Sequence, residues 1–308
     1  MANDPRRRRG GVAAAVLLAA ALLAGGALAA AAPAVRTFED YRIEIDPAPA
    51  QDADSPGSRQ ELRILRDGKV LARVANERVE LYGGPYTDLD PDDKRNQVPA
   101  LGADVTGTGV PVAVVLSYDG GAHCCTTVQL FGLTGDVRPL CTIRGGNYLV
   151  RFRRERGVPG LVALVYDDTF AYWMTSFAQS VAPEVILAFD PASGASRFSA
   201  RLMKQPPPPA ATLKAEAARL RRDPAWKAKG DENVPPPLWD RMLALIYGGQ
   251  APAARDFLGK AWAGPAADRA AFWHDLVDCQ LRRSPYWPDV AALNGWKADQ
   301  PAADCPKG

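Results

Sequence analysis

The residues best equipped for chemistry stand side by side: His123, Cys124 and Cys125, preceded by Tyr118-Asp119-Gly120-Gly121-Ala122. The chain holds five cysteines and two histidines, so reactive side chains are concentrated here. Imidazole and thiolate suit zinc or copper. A thiol near a histidine also begins a nucleophilic site, provided the imidazole approaches in space and a third group orients it. Both readings meet one obstacle. Successive side chains on a strand alternate faces, so His123 and Cys125 point together while Cys124 points away. A metal would need further ligands from remote sequence, and His274 is the only other histidine. The favoured reading is architectural. Gly120 and Gly121 permit a sharp turn, and cysteines of an exported chain tend to pair.

Cys279 and Cys305 lie in one region and are expected to bond. Cys124, Cys125 and Cys141 then share one disulfide and one thiol. The expected bond is Cys125 to Cys141, leaving a buried, slow thiol. A turn centred on Thr134-Gly135-Asp136 sets Cys141 opposite Val128 or Gln129, about 10 Å along the strand from Cys125. A longer loop would be needed to close that gap. A Cys124–Cys125 bond is the rival, and it is strained because adjacent Cα atoms lie about 3.8 Å apart.

Two further places offer carboxylates. Asp104-Val105-Thr106-Gly107-Thr108-Gly109 is a weak candidate for calcium, with Asp104 as its one acid. Hard cations need several oxygens, and usually several carboxylates. The favoured reading is a glycine-rich turn whose Asp and Thr side chains bond the local backbone. Asp167 and Asp168 could act as paired acids, but adjacent acids more often cap a turn. Phe170, Tyr172, Trp173 and Phe177 read as packing aromatics. No nucleophile elbow, phosphate loop or zinc-protease motif is present, and no cofactor is implied.

The Asp104–Pro111 loop and the strand after it look like the calcium loop of FG-GAP or VCBS-type propeller repeats. The wider segment from Asp104 to Cys125, with its Gly-Gly-Ala-His-Cys-Cys string, resembles a family of uncharacterised exported bacterial proteins. Asp167-Asp168-Thr169-Phe170-Ala171-Tyr172-Trp173 also fits that family. The resemblance covers most of the chain after the leader and brings no known activity with it.

The elements that must position these residues fall into two kinds. Short alternating runs fill the first part: Tyr41–Ile45, Glu61–Leu65 and Val70–Val74, then eight more from Val110 to Met203. Phe170–Phe177 and Arg197–Met203 are among them. Short strands at roughly ten-residue spacing indicate a sandwich, barrel or propeller-like array. Pro206–Pro209 forbid helix or central strand, and beyond them apolar residues recur at helical spacing. The expected fold class is α+β: a β domain over residues 36–204, a proline linker over 205–209, and an α-helical domain over 210–305.

The N-terminus carries an export leader. Arg6–Arg9 form a basic region, Val12–Ala24 an apolar one, and Ala27-Leu28-Ala29 a cleavage site. Residues 1–29 are therefore read as a signal peptide, leaving no membrane span and placing the protein in the periplasm or outside the cell. Removing them takes away four arginines and Asp4, which turns a formal charge of +2 into −1. No basic patch with interleaved aromatics stands out, so no nucleic-acid partner is expected. With 47% apolar and 23% charged residues the chain is ordinary globular material. The leading expectation is a non-enzymatic binding or envelope-associated module with an unknown envelope or extracellular partner. The alternative is an exported thiol- or metal-dependent enzyme centred on His123, Cys124 and Cys125.

Overall fold

The computed structural model describes residues 34–47, 59–83, 96–121, 124–227, 234–299 and 305, all within one compact unit spanning Pro33–Gly308. The expected leader over 1–29 lies outside the described residues, as do Ala122 and His123, and of Cys124 only the backbone is described.

Three four-stranded antiparallel meanders follow one another along the chain. β1 (Ala34–Phe38), β2 (Tyr41–Pro47), β3 (Gln60–Arg66) and β4 (Lys69–Asn76) form the first sheet. β5 (Arg78–Leu81), β6 (Val112–Gly121), β7 (Cys124–Gly132) and β8 (Arg138–Gly146) form the second. β9 (Arg151–Arg153), β10 (Val162–Tyr166), β11 (Glu184–Phe189) and β12 (Ser196–Phe198) form the third. Among the described residues the sheets close into neither a barrel nor a propeller ring. The β3–β4 hairpin follows directly from its turn residues. Arg66 faces Lys69, and Asp67 and Gly68 take φ of 50° and 74°, the left-handed pair that matches strand twist in a two-residue loop.

The middle sheet is covered on both faces. Ala113 and Val115 of β6 pack with Tyr41, Ile43, Leu62 and Ile64 of the first sheet. Val112, Val114 and Leu116 instead join Leu130, Phe152 and Val162 on the other side. Period-two alternation sends neighbours to opposite faces, so a strand buried twice must be apolar at every position. Val112–Leu116 is such a run.

Helical structure begins at α1 (Ala200–Met203), ahead of the prolines. It continues through α2 (Ala210–Leu220), α3 (Pro236–Tyr247), α4 (Ala251–Ala261) and α5 (Ala266–Trp273). A π-helical stretch (His274–Gln280), a 3-10 turn (Leu281–Arg283) and α6 (Trp287–Leu293) complete it. Proline in the first turn starts α3, α4 and α6, where its missing N–H costs nothing. One apolar cluster runs through the third sheet and the helices, joining Leu164 and Val185 to Trp239, Leu243, Phe257 and Val290. Trp173 meets Trp239 edge-on at 5.6 Å and Phe272 at 5.7 Å. No helix among the described residues is long and apolar enough to cross a membrane.

One expected strand is absent and another is cut short. Phe170–Phe177 forms 3-10 turns, because Asp167 caps the first of them and Tyr172 and Met174 hold φ of 60° and 52°, outside the strand region. Arg197–Met203 is strand only through Phe198 and then turns into α1.

Candidate functional site

The end of β6 is braced against the start of β7. Gly121 stands opposite Cys124, with a register shift between Tyr118 and Gly121. Gly120 takes φ +83° and a Cβ there would run into the Glu77 carboxylate, so conformation and neighbour both require glycine. Asp119 Oδ1 accepts hydrogen bonds from Gly121 N at 3.2 Å and Cys125 N at 2.6 Å. The sulfur of Cys125 is held in a disulfide.

That disulfide is not with Cys141, whose thiol is free. Register is the reason. A bulge between Leu130 and Phe131 sets Cys141 opposite Leu130, five residues along β7 from Cys125. Five residues of strand span about 17 Å, well beyond the Cα separation a disulfide tolerates. Burial pushes the Cys141 thiol up to about 11, against the lowering effect of hydrogen bonds to Ser196. Thiolate is therefore scarce at neutral pH, and the group is not an activated nucleophile.

Asp104 is consumed by its own loop. Its Oδ1 accepts from Gly107 N at 2.7 Å and Thr108 N at 3.2 Å, and its Oδ2 from Gly109 N at 2.9 Å. The Thr106 and Thr108 hydroxyls bond each other at 2.8 Å. Three backbone donors occupy the one carboxylate, which is the chemistry of a turn.

The two adjacent acids diverge. Asp167 is 1% exposed. Its Oδ1 accepts from Thr169 N at 3.0 Å, and its Oδ2 takes the hydroxyl hydrogens of Tyr247 and Ser284. Asp168 instead accepts from Asn147 Nδ2 at 3.0 Å. Neither arrangement leaves a carboxylate pair sharing one substrate position.

The site that sequence reasoning missed is a cleft of about 400 Å³ between the first and second sheets. Ile43 and Ile45 from β2, Leu81 from β5 and Leu101 give it apolar walls. Arg36, Gln60, Arg78 and Glu80 bring polar groups to the same walls. Among the described residues β5 pairs only with β6, so residues 78–83 border the cleft as an edge. Part of that edge is satisfied locally, since Val79 N donates to Gln60 Oε1 at 3.0 Å. Tyr82 also lines the cleft, and its hydroxyl has no hydrogen-bond partner among the described residues. Burial raises the phenol's pKa, the Glu80 carboxylate adds to that, and Arg151 opposes it. The cleft draws on strands more than forty residues apart, so no local motif announces it.

At the far end of the chain Cys279 and Cys305 form a disulfide, with Cα atoms 5.5 Å apart. His274 stands beside it, Nε2 being 3.6 Å from Cys279 Sγ. No family model, curated protein or solved structure matches this chain.

Proposed function

We propose that the protein is an exported binding module that performs no covalent chemistry, with the cleft between the first two sheets as its ligand seat. The observation that carries this reading is the make-up of the cleft. A volume of about 400 Å³ falls within the roughly 300–1,000 Å³ usual for small-molecule sites, which are mostly apolar with a few placed polar groups. Among the described residues, two guanidinium groups, Arg36 and Arg78, and one carboxylate, Glu80, line the cleft. The ligand class is thus a small amphipathic anion, its apolar body against Ile43, Ile45, Leu81 and Leu101. The basic region, apolar region and cleavage site within residues 6–29, with the resemblance of Asp104–Cys125 to exported bacterial proteins, support a periplasmic or secreted location. Three successive meanders stacked face to face support a blade-like reading of the β domain. The thiol- or metal-dependent alternative centred on His123, Cys124 and Cys125 lacks a free Cys125 sulfur while that sulfur is held in a disulfide.

The test uses anilinonaphthalene sulfonate, a dye with apolar rings and one negative charge. Fluorescence should rise to saturation at one dye per chain and fall when decanoate competes. Leu101→Trp, which fills the cleft, should weaken binding about tenfold or more, and Arg78→Gln should weaken it severalfold. Thermal melts establish that both variants fold. Dye binding that never saturates, or that ignores both substitutions, would sink the proposal.

A further inference from the structure

His274, Cys279 and Cys305 bring one imidazole and two sulfurs together, their ligating atoms all lying within 4.8 Å of one another. The π-helix His274–Gln280 explains the first two. Hydrogen bonding from i to i+5 stacks a residue over the fifth one on, and Cys279 is the fifth after His274. In an α-helix the stacked position would be i+4, which here is Asp278. Asp278 still reaches the imidazole, with Oδ2 at 3.4 Å from Nδ1. Arg282 Nη2 steadies that carboxylate at 3.8 Å from Oδ1. Cys305 comes in from the C-terminal tail and places Sγ 3.7 Å from the Asp278 carbonyl oxygen.

We propose that this cluster is a Cys2His site for zinc, and that the Cys279–Cys305 disulfide is its oxidised form. Tetrahedral zinc with Zn–S near 2.3 Å and Zn–N near 2.0 Å requires an S···N edge of about 3.5 Å and an S···S edge of about 3.8 Å. The His274–Cys279 separation of 3.6 Å already meets the first, and the Cys305 sulfur, within 4.8 Å of the other two ligand atoms, is the one that must move. A disulfide by itself has no use for an imidazole at this distance, nor for a carboxylate on the imidazole's far nitrogen. Zinc sites commonly use both, because the outer carboxylate fixes the tautomer that aims Nε2 at the metal. Three protein ligands leave a fourth corner for water.

The conversion balances. A dithiol gives two electrons to the S–S bond and closes to its own disulfide, while its two protons pass to Cys279 and Cys305. Zinc then displaces those protons and binds two thiolates and neutral His274. In the reverse direction a small-molecule disulfide takes the two electrons from the sulfurs and two protons from solvent and leaves as the dithiol, while zinc is released and the Cys279–Cys305 bond re-forms. In either state the tail is tied to the π-helix. This site is separate from the cleft, and its success or failure leaves the binding proposal where it stands.

The full chain should be reduced with a water-soluble phosphine, freed of reagent without air, and titrated with Co²⁺ as a coloured stand-in for zinc. A thiolate-to-cobalt charge-transfer band and tetrahedral visible bands should saturate at one equivalent and vanish when zinc is added. Oxidised protein should show neither. His274→Ala and Cys305→Ser should each weaken cobalt binding at least tenfold, and Asp278→Asn about tenfold through the lost outer carboxylate. Bands that survive His274→Ala would place the metal elsewhere and overturn the proposal. So would a folded, reduced chain without bands, or a reduced chain that unfolds and is not refolded by zinc.

Discussion

Tyr247 donates its phenolic hydrogen to the carboxylate of Asp167, 80 residues earlier in the chain. Ser284 donates to the same oxygen, and Thr169 N donates to the other. An acid buried this deeply is tolerated only when its oxygens are satisfied. Burial, and after it the Asp167 charge, drives the Tyr247 phenol well above its usual pKa, so the tyrosine remains a donor. The acid that opens the turn after β10 is thereby tied to α3 and to the segment before α6.

Removing that donor should be costly without changing the shape of the core. Tyr247→Phe deletes one hydroxyl and leaves a buried oxygen short of a partner, a loss of about 1.5–3 kcal/mol for a hydrogen bond to a charged group. Urea unfolding should show a lower midpoint with an unchanged slope. Asp167→Ala should cost more, since it strands four donors, Thr169 N and its hydroxyl, Tyr247 and Ser284. A Tyr247→Phe midpoint equal to that of the wild type would mean the bond contributes nothing.

The Asp104 loop offers a matched pair of glycines. Gly107 and Gly109 take nearly the same φ, +75° and +78°. A Cβ on Gly107 would lie 2.6 Å from Gly160 N and 2.7 Å from Pro159 Cβ, whereas a Cβ on Gly109 meets open space. Gly109→Ala should therefore cost only the backbone strain of about 1–2 kcal/mol. Gly107→Ala should cost clearly more, and the two melts compared side by side measure the difference. Excess calcium should leave the wild-type melt unmoved, because Asp104 already accepts three backbone hydrogens.

Cys141 gives a pH signature. Its thiol is pushed up to about 11 by burial, whereas an unfolded cysteine titrates near 8.5. A folded pKa above the unfolded one contributes stability that is complete below about 8.5 and lost as pH climbs toward 11. Cys141→Ser should abolish that part of the alkaline decline in unfolding midpoints. Iodoacetamide at pH 8 should alkylate Cys141 at least tenfold more slowly in native protein than in urea. Equal rates would show that the thiol is not shielded.

Sequence carried some of this and not the rest, for physical reasons. The Asp67-Gly68 hairpin was legible because two residues tolerant of positive φ fix the turn. The middle strand was legible because Val112–Leu116 is apolar at every position. β1 escaped notice because most of its residues face water and alternation is diluted, and β5 because it is four residues long and its buried pair, Val79 and Glu80, breaks the apolar pattern. The stripe of Phe272, Leu276, Val277 and Leu281 looks like an ordinary helix, yet Phe272 to Val277 and Leu276 to Leu281 are each five residues apart. That spacing is the trace of the π-helix, and with it of the His274–Cys279 pair. The cleft had no such trace, since Arg36, Gln60 and Leu101 meet only in three dimensions.

The tail disulfide provides the last test. Cys279 and Cys305 are 26 residues apart in sequence, and cross-linking a loop of that size removes denatured-state entropy worth about 3.5 kcal/mol. Cys305→Ser should lower stability by about 2–4 kcal/mol in oxidising buffer. The loss should appear mainly in α5, the π-helix and α6, because Cys279 sits in the π-helix and the tail returns to it there. Hydrogen exchange of those segments, compared with β6 and β7, locates it. Zinc should restore part of the lost protection in the reduced wild type and none in Cys305→Ser, because the variant lacks the second sulfur. Uniform loss of protection across sheets and helices would instead make the disulfide a brace for the whole fold and not for its C-terminal end.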